Sequence, residues 1–490
     1  MKRPHLIYIV LLLLCITTSC KQDIISSDPT LTLCFSHDSV LFDTVFTDIG
    51  SSTKRVMIYN PNQNALSISR VAMKDGRYFH INLDGENNID NLKDITIRGG
   101  DSLFMFVRVN INPLDLNTPV LVEDTVTFLV NNNLQYIALQ AYGQNVHVLH
   151  DPATGLIVRD GYTLSNKKPY LIYDTLVING DLVIEPGATL YMHDNALIHV
   201  YGSLIANGTI DKPITIRGDR TDRLFDSVPY SVASGQWNGI YLLHSKDRPT
   251  PTYSLNYVSI LSGAIGLYVW SESTNPRPTL TFTNGRIHNH SIYGLVLQNI
   301  DATVLNSEIS NCASYCVYLA GGIHSFTHNT IASYFGYPYT NINIHNGIYR
   351  DDVAAVFINN LSKDYAPTAA SFHSCIITGA RANNLRVATP LDNFYEGSFT
   401  GNYLKADTLP AAFASQNVYA TDSDTVFRNI YYRVGEYHYY DFQLDSISPA
   451  RNIADTLILN DIETDTLLFH DRLGHPRKPR PDAGGYEYQE

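Results

Sequence analysis

The chain reads as an all-β protein, an N-terminal immunoglobulin-like β-sandwich followed by a right-handed parallel β-helix with a C-terminal cap. Three observations lead there. The stretches FTNGRIHNH, VLNSEISNC and FTHNTIASY, beginning at Phe282, Val304 and Phe326, repeat at an interval of 22 residues, which also separates Ile287, Ile309 and Ile331. A second arm follows in register, with apolar residues two apart at Leu267 and Val269, Leu295 and Leu297, Val317 and Leu319, Val356 and Ile358, Leu385 and Val387. That spacing is the period of a strand with one buried face. From Leu31 to His147, by contrast, about seven short alternating runs between Asn, Pro, Asp and Gly turns have the spacing of a sandwich.

Two short strands per repeat, with a third where the chain returns, make one coil. Adjacent coils hydrogen-bond at a strand spacing of about 4.8 Å, so like residues stack over like. A lone coil buries nothing, and the core exists only through stacking. Asn284, Asn306 and His328, each two residues after the first apolar position, form a polar ladder beside it. A leucine-rich repeat has a similar period, but it needs an L-x-x-L-x-L pattern and a helical return, which these Asn- and Gly-punctuated arms do not offer.

Taken in order, the chain opens with Lys2 and Arg3 and an apolar run from Leu6 to Ile16, short for a membrane span, before Thr17, Thr18, Ser19 and Cys20. Residues 1–20 resemble a bacterial lipoprotein signal, which implies that Cys20 becomes the acylated first residue, although Thr17 stands where such signals usually carry Leu. An ordinary secretory leader is the alternative, and either one takes the protein out of the cytoplasm. Residues 21–30 read as a tether, and Lys21 in place of Asp implies an outer-membrane anchor, with the leaflet open. A net charge of −13 without a basic stripe argues against nucleic acid as a partner.

Residues 31–147 contain runs such as SVLFDTVF, KRVMIYN and DTVTFLVNN. Ile49-Gly50-Ser51-Ser52, Tyr59-Asn60-Pro61, Leu66-Ser67-Ile68, Arg98-Gly99-Gly100-Asp101-Ser102 and the stretch from Leu139 to Gly143 resemble immunoglobulin-like modules of the ASH type. The resemblance implies a spacer or adaptor without chemistry, and in an envelope assembly the sandwich would be the module that docks an envelope protein partner.

The β-helix is expected over residues 160–430, starting near Tyr162. The strands DTLVI and DLVIEPGATLYM flank a tight turn at Glu185-Pro186-Gly187. Together with HVYGSLIANGTIDKPITIRG they resemble the opening coils of the pectin-lyase-like superfamily, and Gln236-Trp237-Asn238-Gly239-Ile240 resembles a recurrent tryptophan strand of that group, so Trp237 is expected to pack. Excursions around Trp270 to Pro278 and Asn360 to Pro367 leave from one corner of the coil, and a third, Ser333 to Asp352, leaves from the other end of a strand. In residues 431–490, Ser448-Pro449-Ala450, Asp471-Arg472-Leu473-Gly474 and Pro481-Asp482-Ala483-Gly484-Gly485-Tyr486-Glu487-Tyr488 resemble the end of choice-of-anchor Q proteins, which usually have Ile-Gly-Ala where this chain has Ala483-Gly484-Gly485. The expected role is to cover the unpaired edge of the last coil.

Lyases of the pectin-lyase-like superfamily need clustered carboxylates for a cation and a basic side chain to abstract a proton. Arg286, Glu308 and Thr330 share an outward position, where the first two are expected to form a solvent-exposed ion pair. His288, His290, His324, His328, His345 and His373 show no spacing that makes ligands converge, so no metal site is assigned. Cys34, Cys312, Cys316 and Cys375 read as small apolar residues in or near coil interiors. The excursions carry the ligand-binding candidates Trp270, Tyr337, Tyr339, Tyr349, Asp351, Asp352, Asp364 and Tyr365, with Tyr334 beside them. Aromatic rings stack on sugars while carboxylates accept hydroxyl hydrogen bonds or hold Ca²⁺, so a polysaccharide is the candidate ligand and Ca²⁺ the one candidate cofactor. Three functions follow: a non-catalytic outer-membrane lipoprotein binding glycan or another envelope component through the β-helix flank, a polysaccharide lyase or hydrolase, or a structural component of an envelope assembly.

Overall fold

The computed structural model describes residues 24–113, 117–225, 228–335, 353–360, 368–388, 396–407, 409, 414–430, 440–455, 468–477 and 479–490. The chain divides into two compact units, Met1–Asn145 and Val146–Glu490.

The first unit is a two-sheet sandwich. One sheet runs Cys34–Phe35, Lys54–Tyr59, Ser102–Val109, Phe79–Leu83, and the other Ser39–Phe46, Asn133–Gln144, Val120–Val130, Leu66–Met73, Ile95–Ile97. Alternation along Val120–Val130 sends Val122, Val126, Phe128 and Val130 into the core, where they meet Ile58, Leu66, Phe79 and Val107. The sandwich is not wholly antiparallel, because Ser39–Phe46 lies parallel to Asn133–Gln144. A parallel pair needs a long connection, and the intervening strands supply one. Cys34 is exposed on an edge strand of this unit, contrary to the coil-interior expectation, whereas Cys312, Cys316 and Cys375 are buried.

The second unit is a parallel β-helix whose described residues form three sheets with eleven, nine and ten strands. One coil shows the scheme. Arg286–His290 belongs to the first sheet, Tyr293–Gln298 to the second and Asp301–Leu305 to the third. Val304 pairs with Phe282 on one side and Phe326 on the other, and Ile309 with Ile287 and Ile331, so the interval of 22 is a coil repeat. The repeated stretch is nevertheless two strands rather than one arm. It turns a corner at Asn284, Asn306 and His328, which hold φ of 51°, 49° and 51°. Asn tolerates this left-handed region better than other non-glycine residues, which accounts for the polar ladder.

Interrupting a strand at a corner exposes backbone polar groups inside the coil, and an inward row of amides satisfies them. Asn329 accepts from the Ser307 amide at 2.9 Å and donates to the Val304 carbonyl at 2.8 Å. Asn402 accepts from the Cys375 amide at 2.7 Å and donates to Phe372 at 2.8 Å. Trp237 is buried, its indole N–H donating to the Leu261 carbonyl at 2.9 Å.

The solenoid begins earlier than Tyr162. His147–Leu149 pairs with Tyr170–Ile172, and Leu156–Arg159 with Thr175–Ile178, both parallel. Val148, Leu156 and Val158 are apolar residues at outward positions of this first coil and are exposed, so the apolar-polar alternation that marks later coils is absent from its sequence. At the other end, the described part of the cap lies along a side of the solenoid. The antiparallel pair Phe427–Asn429 and Asp441–Leu444, with Ala450, Ala483 and Tyr486, packs on the outward residues Ala332, Ile376 and Tyr403 of the first sheet. Those apolar side chains face out of the coil and need a cover, which draws the cap to the flank instead of the last edge.

Core rings stack along the axis, with Phe326 and Phe372 centroids 4.7 Å apart and Phe372 and Phe399 5.2 Å apart. Phe372→Ala is expected to cost about 3–5 kcal/mol of stability in urea unfolding, as a central ring lost from a stack with little room to collapse. A cost well under 1 kcal/mol would mean the rings are not stacked as described.

Candidate functional site

The outward face of the second sheet carries an aromatic ribbon. His199, Tyr241, Tyr268, Val296, Tyr318, Phe357 and Arg386 are consecutive register partners, one per coil. Each lies between two inward apolar residues, so alternation alone turns it out of the core. His199 and Tyr241 centroids are 5.4 Å apart, Tyr241 and Tyr268 5.2 Å, and Tyr318 and Phe357 5.6 Å. The Arg386 guanidinium lies 6.0 Å from the Phe357 ring centre. Val296 interrupts the row, and a second pair widens it there, Tyr293 and Tyr315 stacking within 4° of parallel at 6.0 Å. The aromatic rings are half-buried.

Trp270 lies on the same outward face, two residues beyond Tyr268, at the end of strand Ile265–Ser271 and not in an excursion. Tyr337, Tyr339, Tyr349, Asp351, Asp352, Asp364 and Tyr365 lie outside the described residues, as does Cys20. Tyr334 is buried in the cap core, stacked 6.2 Å from Phe442. The ribbon residues were the overlooked ones. Their signal was the residue between each apolar pair of the second arm, visible as Tyr268, Tyr318 and Phe357 once the arms are aligned.

The outward face of the first sheet is closed by the C-terminal chain. Glu308 is 1% exposed rather than solvated, which corrects the surface-pair expectation. Its Oε1 meets Arg286 Nε at 2.9 Å and accepts from Ser310 at 2.6 Å, while Oε2 accepts the Tyr486 hydroxyl proton. Burial pushes this carboxyl up, but Arg286, His288 and Arg472 outweigh it and bring it to about 2. Further along, Gly485 N donates to Thr330 Oγ1 at 3.0 Å, Arg472 Nε to the Gly285 carbonyl at 2.9 Å and Arg477 Nη2 to Asn306 Oδ1 at 2.7 Å. Arg477 also pairs with Glu487 at 3.2 Å, and Asp471 accepts amides from Leu473, His475 and Glu487, each at 2.8 Å. The conspicuous Asp471 and Pro481–Tyr488 motifs thus serve to fasten the chain to the sheet.

His345 lies outside the described residues, and the described histidines do not converge. His290 and His324 are buried, and desolvation brings both imidazoles down to about 4. His288 faces outward, its Nδ1 2.7 Å from Ser310 Oγ. Among the described residues no group of three or more His, Cys, Asp or Glu side chains is placed to hold a metal ion. The carboxylates suggested for Ca²⁺ are those outside the described residues.

No protein-family model and no curated protein sequence matches the chain. Among solved structures, a family 123 glycoside hydrolase from Clostridium perfringens is similar at 7% identity over 24% of this chain and 27% of that one, with a TM-score of 0.18. The chain therefore spans little over a quarter of that enzyme's length, and a likeness this slight carries no argument about function.

Two outcomes follow. Glu308→Gln leaves Arg286 under the cap without its counter-charge and is expected to cost about 3–5 kcal/mol in chemical unfolding, against 0–1 for a surface pair. Stability should also fall on acidification. His290 and His324 titrate near the ordinary 6.5 when unfolded but about 4 when folded, so the unfolded state binds protons first between pH 6.5 and 4. Glu308 extends the loss from 4.5 toward 2, because its folded carboxyl resists protonation. The urea midpoint at pH 4.5 should lie well below that at pH 7.5, and an unchanged midpoint would contradict the buried neutral imidazoles.

Proposed function

We propose that this protein is a lipoprotein anchored in the outer membrane through Cys20, which binds a glycan along the outward face of its second sheet without cleaving it. The aromatic ribbon carries this reading. Aromatic faces stack on the C–H faces of sugar rings, and the row offers one position per coil at a spacing of about 4.8 Å. An extended glycan laid parallel to the solenoid axis advances by a similar distance per sugar, so successive rings meet successive side chains. Trp270 broadens the platform on the same face. The sandwich, with its resemblance to ASH-type modules, serves as spacer or adaptor, and the C-terminal resemblance to choice-of-anchor Q proteins fits a surface β-helix.

The non-catalytic part of the reading is supported by Glu308. That carboxylate is held by Arg286, Ser310 and Tyr486 and sits near 2, so it is a poor proton shuttle near neutrality.

Affinity electrophoresis of the full chain against neutral and acidic polysaccharides tests the proposal. Tyr268→Ala and Tyr318→Ala should each weaken retardation about tenfold, a loss of about 1.4 kcal/mol per ring. New ultraviolet absorbance from an unsaturated product, with or without Ca²⁺, would replace binding by lyase activity. Recovery of one stoichiometric membrane protein, with no retardation by any polysaccharide, would favour a structural role in an envelope assembly.

A further inference from the structure

We propose that a cleft on the outward face of the first sheet is a second binding site, taking a sugar that carries an oxyanion. The cleft measures about 210 Å³, and its walls include Arg217, Gln236, Leu261, Arg286, His288 and Tyr440. Leu261 and His288 are register partners, and Arg217 follows Ile216 as Leu261 follows its partner Ile260, so Arg217 and His288 flank Leu261 in adjacent coils. One wall comes from the excursion between Gly218 and Gly239, which contributes Ser231, Val232 and Gln236. The cap supplies the opposite wall through Tyr440, whose ring meets His288 edge-on at 5.7 Å.

Arg217 spends hydrogen bonds on neutral acceptors, the carbonyls of Gly218 at 3.3 Å and Arg220 at 3.2 Å, and burial depresses its pKa because its charge is poorly solvated. The Asp219 carboxylate lies within electrostatic reach of Arg217 and also meets His193 at 2.6 Å, and the Asp222 carboxylate is held by Arg220. Arg286 adds a second guanidinium, anchored from behind by Glu308, with Asp441 also within electrostatic reach. On a chain of net charge −13, two guanidiniums and an imidazole lining one cleft favour a carboxylate, sulfate or phosphate.

Beside Gly218, Gln236 donates both amide hydrogens, to Tyr230 at 3.0 Å and Ala233 at 2.7 Å, which fixes its orientation. Its Oε1 is packed against Gly218, without a hydrogen-bond partner among the described residues. Leu261 and Tyr440 provide the apolar sides that a sugar ring needs. This site shares no residue with the ribbon and stands or falls separately.

Isothermal titration of the full chain with D-glucuronate, N-acetylglucosamine 6-sulfate, glucose 6-phosphate, glucose, and inorganic sulfate and phosphate tests the assignment. At least one acidic sugar should bind ten times or more tightly than glucose and than the inorganic ions, and which one wins names the oxyanion. Arg217→Gln should remove that preference with the thermal midpoint of the unliganded protein unchanged, Arg217→Lys should restore part of it, and Tyr268→Ala on the ribbon should leave it intact. His288→Gln, measured in parallel, keeps the test open should the Arg217 variants fold poorly, and is expected to weaken the acidic sugar several-fold. Equal affinity for glucose and the acidic sugars, inorganic ions binding as tightly as the sugars, or loss of binding in Tyr268→Ala would each overturn the proposal.

Discussion

In the second unit each coil can be completed only by the coils on either side, and that mutual dependence shapes the rest of the structure. Hydrogen bonding at one strand spacing leaves no freedom to offset a side chain from its equivalents. Inside, the rule produces stacks such as Phe326, Phe372 and Phe399. At the corners it demands the same backbone conformation coil after coil, met by Asn284, Asn306, His328 and Ser374 with positive φ. His328 is a costlier solution than Asn, its ring buried beside the Asp482 and Gly484 backbone of the C-terminal chain. The corner geometry evidently outranks the preference of any one side chain.

Outside the coil the same rule turns single residues into rows, and two rows meet different fates. On the first sheet, Ile376, Tyr403 and the Arg286–Glu308 pair are covered by the C-terminal chain, which becomes a second core. Gly484 makes that approach feasible. It holds φ of +95°, and a Cβ there would come within 2.7 Å of Ile376 and 2.8 Å of Thr330, so a side chain would lift the segment off the sheet. On the second sheet the aromatic row stays half-buried. Cap and ribbon are thus two answers to one problem, apolar side chains that the repeat directs away from the axis. One face is sealed by the chain itself, and the other is not.

Burying Glu308 changes what its neighbours are able to do. A carboxylate fixed by Arg286, Ser310 and Tyr486 is a structural anchor, and the guanidinium it holds is thereby aimed at the edge of the cap, where the cleft opens. Closing the flank and shaping the cleft are consequences of the same contacts.

The solenoid, its 22-residue coil and the identity of its core residues were legible in the sequence because stacking copies local pattern directly into neighbouring contacts. The sandwich was legible for the simpler reason that alternation marks half-buried strands. The start at His147 was not, since apolar Val148, Leu156 and Val158 occupy outward positions there and erase the apolar-polar pattern. The ribbon was written in the second arms at Tyr268, Tyr318 and Phe357, but outward residues follow no burial rule, so nothing singled them out before their rings were seen in contact. The sequence by itself determined which residues repeat and which face the axis. Only the tertiary structure decided that Glu308 is buried and that Arg217, His288 and Tyr440 meet, because those contacts join segments far apart in the chain, and no local periodicity encodes where a non-repeating segment comes to rest.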